Sequence, residues 1–207
     1  VEFFFVLFCN FFRPSRIFPL MTDILSNHSL SLPHPSAQPD DDLTHSRQVR
    51  FCTLVEPHIE AVGRFVHALV RNREEARDVV GDVLLIAFEK LDTLKHEQTS
   101  ASWLFSIARN EFYQRKRRRK FWGLFDEKSV RKKPSEAASP EVSADISLLH
   151  EALAKLPAAQ REALTLFEIA GLSLEEIRQI QGGTLSGVKS RVTRGREELK
   201  RRMRDEG

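Results

Sequence analysis

The sequence predicts an all-α chain: two small helical domains joined by a flexible linker, the C-terminal one a helix-turn-helix. Three observations carry this. From residue 49 onward apolar residues recur at three- and four-residue steps, and no stretch alternates as a strand would. The periodicity lapses over 123–139, where Gly123, Pro134 and several Ser and Ala gather, the composition of a linker. Residues 171–196, GLSLEEIRQIQGGTLSGVKSRVTRGR, then set a cap signal, a short helix, a glycine turn and a basic helix in that order.

Along the chain, the first helix is expected over about 49–71, with Phe51, Leu54, Val55, Ile59, Val62, Phe65, Val66, Leu69 and Val70 inward. Pro57 is expected to kink it or delay its start. Asn72 can cap the next helix, with Glu75 three residues later in a variant of the capping box. That helix carries Val79, Val80, Val83, Leu84, Phe88 and Leu91. A polar stretch, Lys95 to Ser100, separates it from a third helix that starts near Ser102 and runs into the basic run Arg115 to Lys120. Beyond the linker, Ser139-Pro140 reads as a cap followed by proline at the first helical position. That helix runs to Leu156, and Pro157 opens another that closes at Gly171. Ser173 to Glu176 is a capping box, Gly182-Gly183 a turn, and Thr184 the start of the last helix, with Val188, Val192 and Leu199 inward.

Composition bounds the function. The chain has 207 residues, 29% charged and 41% hydrophobic, which reads as soluble and globular. Its net charge of +3 hides a pattern: −2 over 1–48, +4 over 49–122, −1 over 123–145 and +2 over 146–207. Basic folded blocks suggest a polyanionic partner. The two cysteines, Cys9 and Cys52, form no CxxC and no Cys/His cluster, so neither a metal site, a cofactor nor a disulfide framework is expected. Residues 1–20 hold seven of the fifteen Phe. The run is too short to span a bilayer, and Glu2 leads where a signal peptide has cations. No membrane insertion is expected. Residues 1–20 read as separable from the working protein and dispensable, and 22–48 as a disordered arm rich in Ser, Pro, His and Asp.

Three constellations could carry function. In 171–196 the second helix presents Thr184, Ser186, Lys189, Ser190, Arg191 and Arg194 at spacings suited to a major groove, with cations able to reach guanine edges or phosphates. The alternative is an ordinary helical hairpin with a solvated basic face. In 103–120, Arg109, Tyr113 and Lys116 share one helix face, with Asn110, Gln114 and Arg117 beside it. Aromatics among cations suit unstacked single-stranded bases. Trp103 and Ile107 there are read first as core. Six consecutive cations repel one another without a partner, which favours nucleic acid. In 78–88, Asp78 and Asp82 lie one turn apart on one surface. With no phosphate loop, metal-ligand set or nucleophile-base pair, they suit protein docking or solvation, not catalysis.

In this order the three segments resemble sigma factors of the extracytoplasmic-function (ECF) type. Ala76–Phe88 is similar to their polymerase-clamp helix, Trp103–Asn110 with its basic continuation to the segment that melts and reads the −10 element, and Leu153–Arg196 to the domain that binds the flap and the −35 element. The resemblance spans roughly 49–203. It implies a cytoplasmic, non-enzymatic factor that directs RNA polymerase core to promoters. It assigns Asp78, Val79, Asp82 and Phe88 to polymerase and Trp103, Arg109, Asn110, Tyr113, Lys116 and Arg117 to melted −10 DNA. Thr184, Ser186, Lys189, Ser190, Arg191 and Arg194 go to −35 duplex. Domains are expected at 49–122 and 140–203. The family often has an anti-sigma partner covering these faces. A stand-alone helix-turn-helix regulator is the competing reading, and it needs neither of the first two segments. Gly81 stands where the family usually has Gln, and Ile86 where a long basic residue is frequent. Arg178, Gln181 and Gly183 depart from small or apolar residues, which bears on the docking angle of the recognition helix.

Overall fold

The computed structural model describes residues 39–70, 72–121 and 140–205. The expectations for 1–38 and for the linker lie outside the described residues. Among the described residues the chain forms seven α-helices and no strand. They are α1 (Pro39–Val70), α2 (Arg73–Glu89), α3 (Ser100–Phe121), α4 (Pro140–Ala154), α5 (Ala158–Glu168), α6 (Leu174–Gln181) and α7 (Leu185–Asp205). Two 3₁₀ turns, Leu91–Thr93 and Glu97–Thr99, cross the polar stretch between α2 and α3.

The first helix departs from expectation. It begins at Pro39 and contains Pro57, so residues 39–48, read as part of a disordered arm, are helical. Tertiary contact supports that extension. Arg47 donates to the Phe88 carbonyl at 3.1 Å, pairs with Asp92 at 3.2 Å, and stacks over the Phe88 ring. These bonds satisfy the carbonyl end of α2, which has no basic residue of its own in its last turn. Asn72 caps α2 as expected, accepting from the Glu75 amide at 2.9 Å. The Glu75 carboxylate pairs with Arg119 of α3.

Helices α1, α2 and α3 pack on one another around Val55, Val62, Phe65, Val79, Val83, Leu104 and Phe105. The Phe65 and Phe105 rings meet edge to face, 5.5 Å apart. Helices α4 to α7 enclose Leu149, Leu153, Leu164, Leu166, Ile177 and Val188. The two blocks are also packed together, α3 against α6 and α1 against α5, and their buried residues form one continuous cluster. That junction is what positions the functional surfaces.

His67, in the last turn of α1, lies at the junction. It is 4% exposed, with its ring 5.2 Å from that of His150 on α4. Burial, then the nearby Arg73 guanidinium, lowers its pKa from 6.5 to about 4. Between those values the unfolded chain binds a proton that the folded chain refuses, so stability falls as pH drops through the window. Up to about 3 kcal/mol is at stake, present at neutral pH and lost toward about pH 4. Denaturant melts between about pH 7 and 5 check this. An equally steep loss in His67→Gln would assign the effect to other groups.

Candidate nucleic-acid and polymerase interfaces

The helix-turn-helix forms as its caps dictate. Ser173 Oγ accepts from the Glu176 amide at 3.3 Å, and the Ser173 amide donates to Glu176 Oε2 at 2.8 Å, a complete capping box for α6. Gly182 and Gly183 turn the chain at φ +75° and +89°, where a Cβ is strained. Thr184 Oγ1 accepts from the Gly187 amide at 3.1 Å and opens α7. Ile177, Ile180, Val188 and Val192 face the core. Thr184, Ser186, Lys189, Ser190 and Arg194 are consequently exposed.

Arg191 is placed differently. It is half-buried and donates to Gln181 Oε1 and, at 3.0 Å, to the Gly182 carbonyl. Gln181 Nε2 in turn donates to the Ala159 carbonyl at 3.2 Å. The guanidinium expected on DNA therefore braces the turn, and Gln181, a departure from the family pattern, is the relay that ties the turn to α5. Gly183 completes this arrangement: a Cβ there would lie 3.1 Å from the Arg191 guanidinium.

On α3, Arg109 and Tyr113 share a face as expected, with the Arg109 guanidinium over the Tyr113 ring. Both bond one acid of the other block: Arg109 Nε donates to Glu162 Oε1 at 2.6 Å and Tyr113 Oη to Glu162 Oε2 at 2.8 Å. Burial, then the Glu162 charge, pushes the Tyr113 hydroxyl up to about 12. Lys116 continues this face, and burial with the nearby Arg161 lowers its pKa. Asn110 and Arg117 are exposed, and Trp103 is half-buried against the core. The basic run is not uniformly free. Arg115 pairs with Asp82 and Glu111, and Arg119 with Glu75, leaving Arg117, Arg118 and Lys120 toward solvent.

On α2, Asp78 is exposed, Asp82 is engaged by Arg115, and Phe88 is half-buried edge-on to Phe51 at 5.3 Å. Val79 is 0% exposed, so it supports the expected polymerase face from beneath and cannot touch a partner. Leu85 takes the apolar place on that surface, 59% exposed and about two helical turns from Asp78. Gly81 lies on the same surface with open space where a side chain would be. Among the described residues no helix is long and apolar enough to cross a membrane.

The sigma-70 region 2 family matches residues 54–121 and the sigma-70 region 4 family matches 146–199. The chain is also 34% identical over 145 residues to the ECF RNA polymerase sigma factor EcfG of Rhodopseudomonas palustris, covering 68% of this chain and 78% of that protein. The chain belongs to the sigma-70 family as an ECF sigma factor. The ECF sigma factor SigW of Bacillus subtilis is 26% identical over 170 residues, covering 76% and 91% of the two chains. Among solved structures, the sigma factor RpoE in complex with the anti-sigma factor NepR, from Bartonella quintana, superposes with a TM-score of 0.64 and 31% identity over 75% of this chain and 97% of that one. CnrH in complex with the cytosolic domain of CnrY shares the fold, with a TM-score of 0.60 at 21% identity. This sigma factor therefore serves transcription initiation, with RNA polymerase core and promoter DNA as its partners. The two matched regions together exclude a stand-alone regulator, which would carry no region 2.

Proposed function

We propose that this sigma factor divides its work between two separately built surfaces and performs no chemistry itself, the polymerase core supplying the catalysis in the cytoplasm. The block at 49–122 docks on the clamp through Asp78, Leu85 and the Arg115-held Asp82, over the buried Val79 and beside Phe88. Its α3 face, with Arg109, Asn110, Tyr113, Lys116 and Arg117 above Trp103, takes the melted −10 strand. Stacking on a ring and cations along a backbone suit unpaired bases. The block at 140–203 binds the flap and reads −35 duplex through Thr184, Ser186, Lys189, Ser190 and Arg194, with Arg191 setting the angle of α7. A linker between the two lets weak sites act together. An anti-sigma protein is the expected regulator, in keeping with the complex of RpoE with the anti-sigma factor NepR.

One observation supports this most: exposed Lys189, Ser190 and Arg194 follow a turn braced by Arg191, Gln181 and a glycine pair, so the cations sit on a rigid helix. Lys189→Ala and Arg194→Ala are each expected to weaken cognate promoter binding by about 1–3 kcal/mol. Promoter-dependent transcription with core polymerase, alongside duplex affinity, measures it. Unchanged affinity in both variants would remove α7 from the −35 contact.

A further inference from the structure

We propose that the Glu162 carboxylate is an internal competitor for the −10 strand, holding this sigma factor in a closed state from which α5 must withdraw before α3 can capture a base. The proposal rests on the reading of Arg109 and Tyr113 as −10 contacts. Glu162 belongs to the C-terminal block and is 1% exposed. Its two recorded donors, Arg109 and Tyr113, both come from α3 of the other block. They offer a cation and a ring-borne hydroxyl stacked on one another, the groups that a nucleotide would use. The carboxylate thus sits where a phosphate or base edge would.

The two ligands compete. Glu162 takes the one hydrogen of Tyr113 Oη and the Nε hydrogen of Arg109, leaving a nucleotide only the terminal guanidinium nitrogens. A phosphodiester brought to the same donors would also meet a buried carboxylate, and two anions in a water-poor site repel strongly. Ser102 Oγ, donating to Gln179 Oε1 at 2.8 Å, fastens the start of α3 to α6 as well. Lys116 and Arg161 bring like charges to the same junction, and burial, then Arg161, lowers the Lys116 pKa. Glu162 is thus the charged part of a junction that also buries apolar side chains of both blocks, and the part open to competition by another anion. The −35 face is not covered. Lys189, Ser190 and Arg194 remain exposed in the closed state, so duplex can dock first and strand capture must follow opening.

The test uses the full chain without polymerase, with X-ray scattering for compactness and two probes, mixed-sequence single-stranded DNA and the corresponding duplex. Glu162→Gln keeps the side chain's shape and removes its charge. It is expected to expand the molecule and raise single-strand affinity roughly tenfold, the scale of one charged hydrogen bond. Duplex affinity should not change. Tyr113→Phe removes a bond from the opposite block and should expand the molecule too, which separates opening from damage to α5; circular dichroism should show unchanged helix in both. Scattering identical to the parent in both variants overturns the proposal, and so does expansion of Glu162→Gln without a gain in its single-strand affinity. The −10 reading stands or falls separately. Arg109→Ala assembled with core polymerase and still melting promoter DNA normally would sink that reading, whatever the scattering shows.

Discussion

Phe65→Ala is expected to lower folding stability by about 3–5 kcal/mol, the range for emptying an aromatic site in a packed core. Phe65 is fully buried between α1 and α3, and its ring meets that of Phe105 edge to face. Truncation removes the ring's buried area, the aromatic contact and the neighbours' packing atoms at once. The surrounding Val62, Val66 and Leu104 sit on rigid helices and can close the space only in part. Denaturant unfolding of parent and variant measures the difference, and a loss below about 1 kcal/mol would mean that the site collapses freely. Val49→Ala on the exposed side of the same helix serves as a control, with little expected change.

Asp78→Lys is expected to abolish co-purification with core polymerase while leaving duplex DNA binding intact. Reversing a docking charge can cost several kcal/mol, enough to lose a complex in purification. The sequence places Asp78 and Asp82 on one surface as a pair. The structure separates them. Asp82 holds Arg115, which also pairs with Glu111, so Lys at 82 would set two cations against each other and disturb the α2–α3 packing. Asp78 is exposed, and Lys is a good helix former, so its reversal tests the surface alone. Retention of the core complex by Asp78→Lys would move the docking face elsewhere, with Leu85→Asp the next variant to try.

Much of this was legible because the signals are local. Asn72, Ser173 with Glu176, the Gly182-Gly183 pair and Thr184 act over three or four residues, and each forms the cap or turn its sequence announces. Three- and four-residue apolar spacing likewise assigned Val62, Phe65, Val79, Val83 and Val188 to the core. Boundaries were less legible. The start of α1 at Pro39 was missed because the contact that ties this end of the helix down, from Arg47, finds its acceptor at Phe88, 41 residues away.

The sequence by itself determined the helices, their caps, the order of the functional segments and the family they belong to. Only the tertiary structure decided which cations are available. Arg109, Arg115, Arg119 and Arg191 look alike in the chain, yet each is held by a named acceptor: Glu162, Asp82, Glu75 and Gln181. Glu162 itself carried no signal as an isolated acid on an amphipathic helix. Its partners lie 53 and 49 residues away on another helix. Caps and apolar stripes are written in spacings of three and four because a helix repeats every 3.6 residues. Ion pairs between helices follow no such repeat, since their partners are chosen by how the helices pack.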